Sequence, residues 1–153
     1  MKKVIFTYLL PLAALTFFNG CAGADNNAPH AGNDDRFDCP HRPNCVSSEA
    51  RDADRAIAPF QLKTDISAGW KAVQTLVEGL PRTAILEASE VYLHAACRSR
   101  VFRFVDDLQL RLNPQTGEVA VRSASRTGYW DFGVNRRRVE SLRRSLKENG
   151  LIR

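Results

Sequence analysis

The chain has little with which to build a metal centre, a phosphate cradle or a membrane span. Its 153 residues hold 4 cysteines and 3 histidines. It has no Gly-rich phosphate-loop motif and no internal repeat, which excludes P-loop chemistry and repeat architectures. Its N-terminal apolar run, Val4 to Phe18, is shorter than the roughly 20 residues that cross a bilayer as a helix. The one combination of metal-ligating types, Cys39, His41 and Cys45 with His94 and Cys97, is poorly placed. His94 and Cys97 stand three apart on a predicted strand and point to opposite faces, so no metal and no cofactor are implied. No His or other base is assigned to Cys45 by spacing, which argues against a nucleophilic role.

What is present first is an address. Lys2 and Lys3 precede the apolar run, which is interrupted only by Thr7, Pro11 and Thr16, as in a secretory signal. The run ends Phe18-Asn19-Gly20-Cys21, which resembles a bacterial lipobox with Cys21 as the acylated residue. Each buried methylene of the lipid would add ~0.8 kcal/mol of membrane affinity. Ordinary cleavage near Ala22-Gly23-Ala24 is the competing expectation. Ala22, in place of the Asp that retains lipoproteins at the inner membrane, favours an outer-membrane anchor facing the periplasm. Residues 1–20 are then a signal peptide, 21–35 a lipid-anchored flexible tether without apolar period, and 36–153 a single globular domain long enough for a modest core.

Charge is unevenly placed. From Arg98 to the end there are 13 Lys+Arg against 6 Asp+Glu, whereas Ala22 to Cys97 has 7 against 11. The C-terminal half is the part suited to anions. Export removes nucleic acid as a partner despite the sequence pI of about 9.3. In an oxidising compartment a Cys39–Cys45 bridge across a Pro-stiffened loop is the first expectation, with Cys97 buried and reduced; Cys45–Cys97 is the alternative.

Periodicity predicts an α+β domain. A helix capped by Thr64 or Asp65 carries Ile66, Trp70, Val73 and Val77 at helical spacing. Strands follow over Thr83–Ala88, Val91–Arg98, Val101–Leu112 and Val119–Arg126, with a turn at Asn113–Gly117. A last helix, N-capped by Asn135, carries Val139, Leu142 and Leu146. The expected architecture is two-layer, an antiparallel sheet of about four strands with both helices packed on one face. His94 reads as a half-exposed strand residue. Asp106 falls in phase with the apolar side of its strand, where a lone carboxylate costs several kcal/mol, so it needs a partner; Arg122 and Arg126 on the neighbouring strand are the natural ones.

The densest polar chemistry lies in Glu118–Arg144. Arg136, Arg137 and Arg138 occupy the first turn of the last helix, where the dipole disfavours each exposed cation by roughly 0.3–1 kcal/mol. Such placement points to an acidic partner, within the fold or outside it.

Cys39-Pro40, Pro43-Asn44-Cys45-Val46-Ser47-Ser48, Phe102-Arg103-Phe104-Val105-Asp106-Asp107, Val121 through Tyr129 and Asp131 through Glu140 run in order along about three quarters of the chain. Together they resemble the family called domain of unknown function 1499, found in bacteria and plants. The resemblance implies a shared fold and a shared site, and brings no reaction with it.

Three readings follow. In the first, Arg122, Ser123, Ser125, Arg126, Tyr129, Asn135, Arg136, Arg137 and Arg138 converge as a non-catalytic site for an anionic small molecule or envelope component. In the second, Asp106, Asp107 and Asp131 join these arginines in a purely internal network. In the third, Asp106 or Asp107 serves as a catalytic acid or base. Binding ranks above catalysis, because sequence supplies no cleft and no shifted carboxylate. Oligomeric state is left open.

Overall fold

A computed structural model describes residues 37–63, 65–100 and 102–153; Cys21, the signal, the tether, Thr64 and Val101 lie outside the described residues. In chain order the elements are β1 (Cys45–Ser47), β2 (Phe60–Gln61), α1 (Ile66–Glu78), β3 (Thr83–Ala88), β4 (Tyr92–Arg98), β5 (Val105–Leu112), β6 (Glu118–Ser125) and α2 (Val134–Glu148). The fold is α+β around one antiparallel sheet of six strands, ordered β1-β6-β5-β4-β3, with β2 also pairing β6.

The four anticipated strands are β3 to β6. The count is corrected to six because β1 and β2, of 3 and 2 residues, add themselves to the outer edge of β6. Strands that short carry no readable period.

Local chemistry starts and stops the elements. The Asp65 carboxylate accepts from Ser67 N and Ala68 N at 3.0 and 3.1 Å and caps α1. In the β5–β6 turn, Asn113 Oδ1 accepts from Gln115 N and Thr116 N, and Gly117 takes φ +70°. A Cβ there would also sit 3.3 Å from Ile66, so both conformation and space call for glycine. α2 differs from expectation at its start. Gly133, at φ +73°, is the N-cap, and the Asp131 carboxylate accepts from Gly133 N and Asn135 N at 2.9 and 2.8 Å. Asn135 is therefore not the cap but a buried residue inside the first turn.

Strand parity decides where the core sits. Leu93, Ala95 and Cys97 of β4, Leu108, Leu110 and Leu112 of β5, and Val119 and Val121 of β6 share one side and are buried. They form one cluster with Trp70, Val73 and Val77 of α1 and Val139, Leu142 and Leu146 of α2. Each large side chain so buried contributes roughly 1.5–3 kcal/mol. On β3 a register shift between Ile85 and Glu87 leaves Leu86 exposed and Ile85 packed on the core.

Cys39 and Cys45 are joined across a sequence separation of 6, and Cys97 is free and buried. Closing so short a loop constrains the unfolded chain by about 2 kcal/mol. Urea unfolding of Cys39→Ser/Cys45→Ser should show a loss of about that size at unchanged m-value.

Candidate functional site

Asp106 and Asp107 are consecutive on β5 and so face opposite sides of the sheet. Asp106 lies on the core side at 3% exposure. Its partner comes from the helix: Arg138 Nη2 donates to Asp106 Oδ2 at 2.5 Å, while Nη1 donates to Asn135 Oδ1 at 2.6 Å and Ser123 Oγ at 2.9 Å. Ser123 Oγ donates to Asn135 Oδ1 at 2.7 Å. Asn135 Nδ2 donates to Asn44 O at 2.9 Å and Ser125 Oγ at 3.0 Å, and Asn44 Nδ2 donates to Gly128 O at 2.7 Å. The network pins α2, β5, β6 and the segment before β1 to one another. No buried side-chain N or O among the described residues lacks a partner.

The anticipated arginine site divides among several places. Arg138, Asn135, Ser123 and Ser125 meet Asp106 on the core side. Arg122 and Arg126, expected to neutralise Asp106, stand on the other side of the sheet; the parity of β6 that puts Val121 and Ser123 in the core turns both away. Arg136 reaches the carbonyls of Ala56 and Asp54 at 3.0 and 2.8 Å, bracing the segment that leads into β2. Arg137 is exposed and donates to Phe132 O at 2.8 Å. Tyr129 is exposed on the β6–α2 loop, edge-on to Trp130, and Asp131 is spent on the α2 N-terminus.

The opposite side of the sheet carries a second polar group, in which His94 joins Asp107 and Arg126. Asp107 receives Arg126 Nε on both oxygens at 3.1 Å and Nη2 at 2.8 Å, and lies 2.7 Å from His94 Nε2. Burial pushes the Asp107 carboxyl up, but the hydrogen bonds from His94 and then Arg126 outweigh it and hold its pKa at about 2. An ionised Asp107 can only accept, so His94 Nε2 carries the proton between them. His94 is 5% exposed, which corrects the half-exposed expectation.

His94, Gln109 and Arg122 form one row across β4, β5 and β6. Gln109 Nε2 donates to Tyr92 Oη at 2.8 Å, and Arg122 Nη1 donates to Gln109 Oε1 at 2.8 Å. Asp107 in the next row is flanked by Ala96 and Ala124. Arg122 is distinctive. Its other bond, from Nε, goes to Asp38 O at 3.3 Å, and among the described residues it meets no carboxylate within ion-pair distance. Burial lowers its pKa, opposed most by the more distant charge of Asp107. Tyr92, His94 and Gln109 became recognisable only with the β4–β5–β6 register, since each alone is a polar residue on the outward phase of a strand.

The two sides separate by mutation. Arg138→Ala strands a buried carboxylate and should cost about 3–5 kcal/mol, whereas Asp106→Leu/Arg138→Met should recover most of that loss in a chemical-denaturation cycle. Asp107 has a folded pKa of about 2, below its ordinary 3.8. Its stabilisation is therefore present above the unfolded value and lost as pH falls toward about 2. It is worth about 1–2 kcal/mol after partial solvent screening. In acid unfolding, Asp107→Asn should remove up to one proton from the slope in that window.

A family model described as a protein of unknown function (DUF1499) matches residues 37–146, which run from the segment before β1 into the last turns of α2. No curated protein and no solved structure matches the chain. The match takes in both polar groups of the sheet, and the chain belongs to this DUF1499 family.

Proposed function

We propose that this is an exported, lipid-anchored and non-catalytic envelope module that binds a small anion at Arg122, on the sheet side turned away from the core. In this reading α1 and α2 form a second layer over one side of the sheet, and the ligand meets Arg122 on the other, beside the Phe37–Asp38 segment that crosses it. The observation that carries it is a partly buried guanidinium held only by neutral acceptors, the Gln109 side chain and the Asp38 carbonyl. A desolvated cation without a counter-charge is unfavourable, and an incoming phosphate or carboxylate would supply both the charge and a bidentate acceptor. Tyr92 shares Gln109 with it, His94 lies across Gln109 in the same row, and Arg126 occupies Asp107. Cys21 would hold the domain to the outer membrane by its lipid.

For Arg138 a structural role has the better support, because it spends its donors on Asp106, Asn135 and Ser123.

Inorganic phosphate is the first probe, added to the full chain. At a hundredfold excess over its Kd it should stabilise the protein by about 2.7 kcal/mol in thermal unfolding. Arg122→Gln should abolish that gain, and Arg137→Gln should keep it. No gain in the natural chain with phosphate or acetate, or an equal gain in Arg122→Gln, overturns the reading.

A further inference from the structure

One end of the sheet gathers cations, aromatics and backbone strain together. The ends of the strands lie side by side there: Arg98 N donates to Arg82 O at 3.0 Å, Arg98 is in register with Val105, and Arg126 N donates to Val105 O at 3.1 Å. Two loops leave this row, the β4–β5 connection and the β6–α2 connection. The first carries Arg100, Phe102, Arg103 and Phe104, and the second Tyr129, Trp130 and Phe132. Phe132 is 88% exposed, Phe102 75% and Trp130 66%. Phe102 stacks on Phe104 with ring centroids 5.7 Å apart, while Tyr129 meets Trp130 edge-on at 5.5 Å. Large apolar rings grouped in water mark an interaction surface.

The charge on the β4–β5 loop has one sign. Arg98, Arg100 and Arg103 are exposed, and among the described residues their side chains hold no hydrogen bond or ion pair. Arg82 and Arg137 spend bonds only on nearby carbonyls. Of the acids at this end, Asp106 is engaged with Arg138, Asp107 with Arg126 and His94, and Asp131 with the start of α2, while the exposed Asp54 lines a hollow beside Trp130 and Phe132. A cleft of about 330 Å³ opens beside the row, its walls including Arg82, Arg98, Arg100, Thr83 and Ser141.

The backbone adds an independent sign. The non-glycine residues with positive φ among those described are Arg82 at 57°, Arg103 at 56° and Phe132 at 52°, and all three belong to this end. Each such residue costs of order 1 kcal/mol or more, and strain of this kind gathers where a site needs a fixed shape. Ser99 closes the base of its loop, since Ser99 N donates to Phe104 O at 2.8 Å and Phe104 N donates to Ser99 Oγ at 3.0 Å.

We infer that this end of the domain is a docking face for an anionic lipid bilayer, with Phe102, Trp130 and Phe132 entering the headgroup boundary and Arg98, Arg100 and Arg103 binding lipid phosphates. The amphipathic Trp ring favours the boundary between water and hydrocarbon, Phe adds buried apolar area, and each arginine near an anionic surface adds about fivefold to the contact. A second copy of this surface would bring its arginines against their own kind, so the charge selects an anionic partner. The contact is peripheral: among the described residues no helix is long and apolar enough to cross a membrane. This face is separate from Arg122, and its test separates the two.

The full chain is mixed with vesicles of phosphatidylcholine alone, or of phosphatidylcholine and phosphatidylglycerol in equal parts, and tryptophan emission is followed. Trp70 is 2% exposed and serves as a constant background, so Trp130 is the reporter. Emission should shift to the blue, and be quenched by brominated acyl chains, on phosphatidylglycerol vesicles only. Arg98→Gln/Arg100→Gln/Arg103→Gln should weaken that response roughly hundredfold, at about fivefold per arginine. Phe102→Ser/Phe132→Ser should also weaken it, and Arg122→Gln should leave it unchanged. An unshifted Trp130 on the anionic vesicles, an equal shift on phosphatidylcholine alone, or a shift that persists in Trp130→Phe overturns the inference. So does a shift that appears only when an acidic protein replaces the vesicles.

Discussion

Two adjacent carboxylates on one strand cannot share a partner, because successive strand residues face opposite sides. Asp106 and Asp107 occupy that arrangement in the middle of the domain, and the rest of the polar architecture depends on it. The alternation sends Asp106 down among Leu108, Cys97 and Ser125, where only a residue descending from α2 can reach it. It sends Asp107 up to His94 and Arg126. Buried carboxylates demand compensation on the scale of several kcal/mol, so each draws in neighbours until its demand is met.

The two sides meet that demand differently. Below the sheet Arg138 balances Asp106 one for one, and the remaining donors and acceptors close on Asn135, Ser123, Ser125 and Asn44. That group is neutral and saturated, and it joins helix to sheet. Above the sheet Arg126 alone balances Asp107, which leaves Arg122 as a surplus cation leaning on an amide and a carbonyl. One side therefore ties helix to sheet, and the other carries the unspent charge on which the proposed function rests. The end of the sheet is a third region. There exposed rings, arginines without acidic partners and left-handed backbone coincide, three features that stability by itself would remove.

Much of the fold was legible in the residues. The β4, β5 and β6 alternations placed their buried sides, and helical spacing located α1 and α2 through Trp70, Val73, Val77, Val139, Leu142 and Leu146, all of which are buried. The odd phase of Asp106 was visible as well, as was its need for a partner. Less visible were β1 and β2, too short for a period, and the cap of α2, where Asp131 takes the role that Asn135 suggests. Parity on β6 contained the information that Arg122 and Arg126 face away from Ser123 and Ser125. Grouping them with the α2 arginines followed proximity along the chain, which is a poor guide across a pleated strand.

Local chemistry, written in the letters, determined which residues form strands and helices, where the turns fall, and that a buried acid and a run of arginines each require a counter-charge. The tertiary structure decided which partner answers which demand. Arg138 rather than Arg122 meets Asp106, and His94, Gln109 and Tyr92 enter one group with Arg122, because strand register and the docking of α2 bring together residues 13 to 32 positions apart. Those distances in space come from packing the whole apolar core, and no short stretch of sequence holds them.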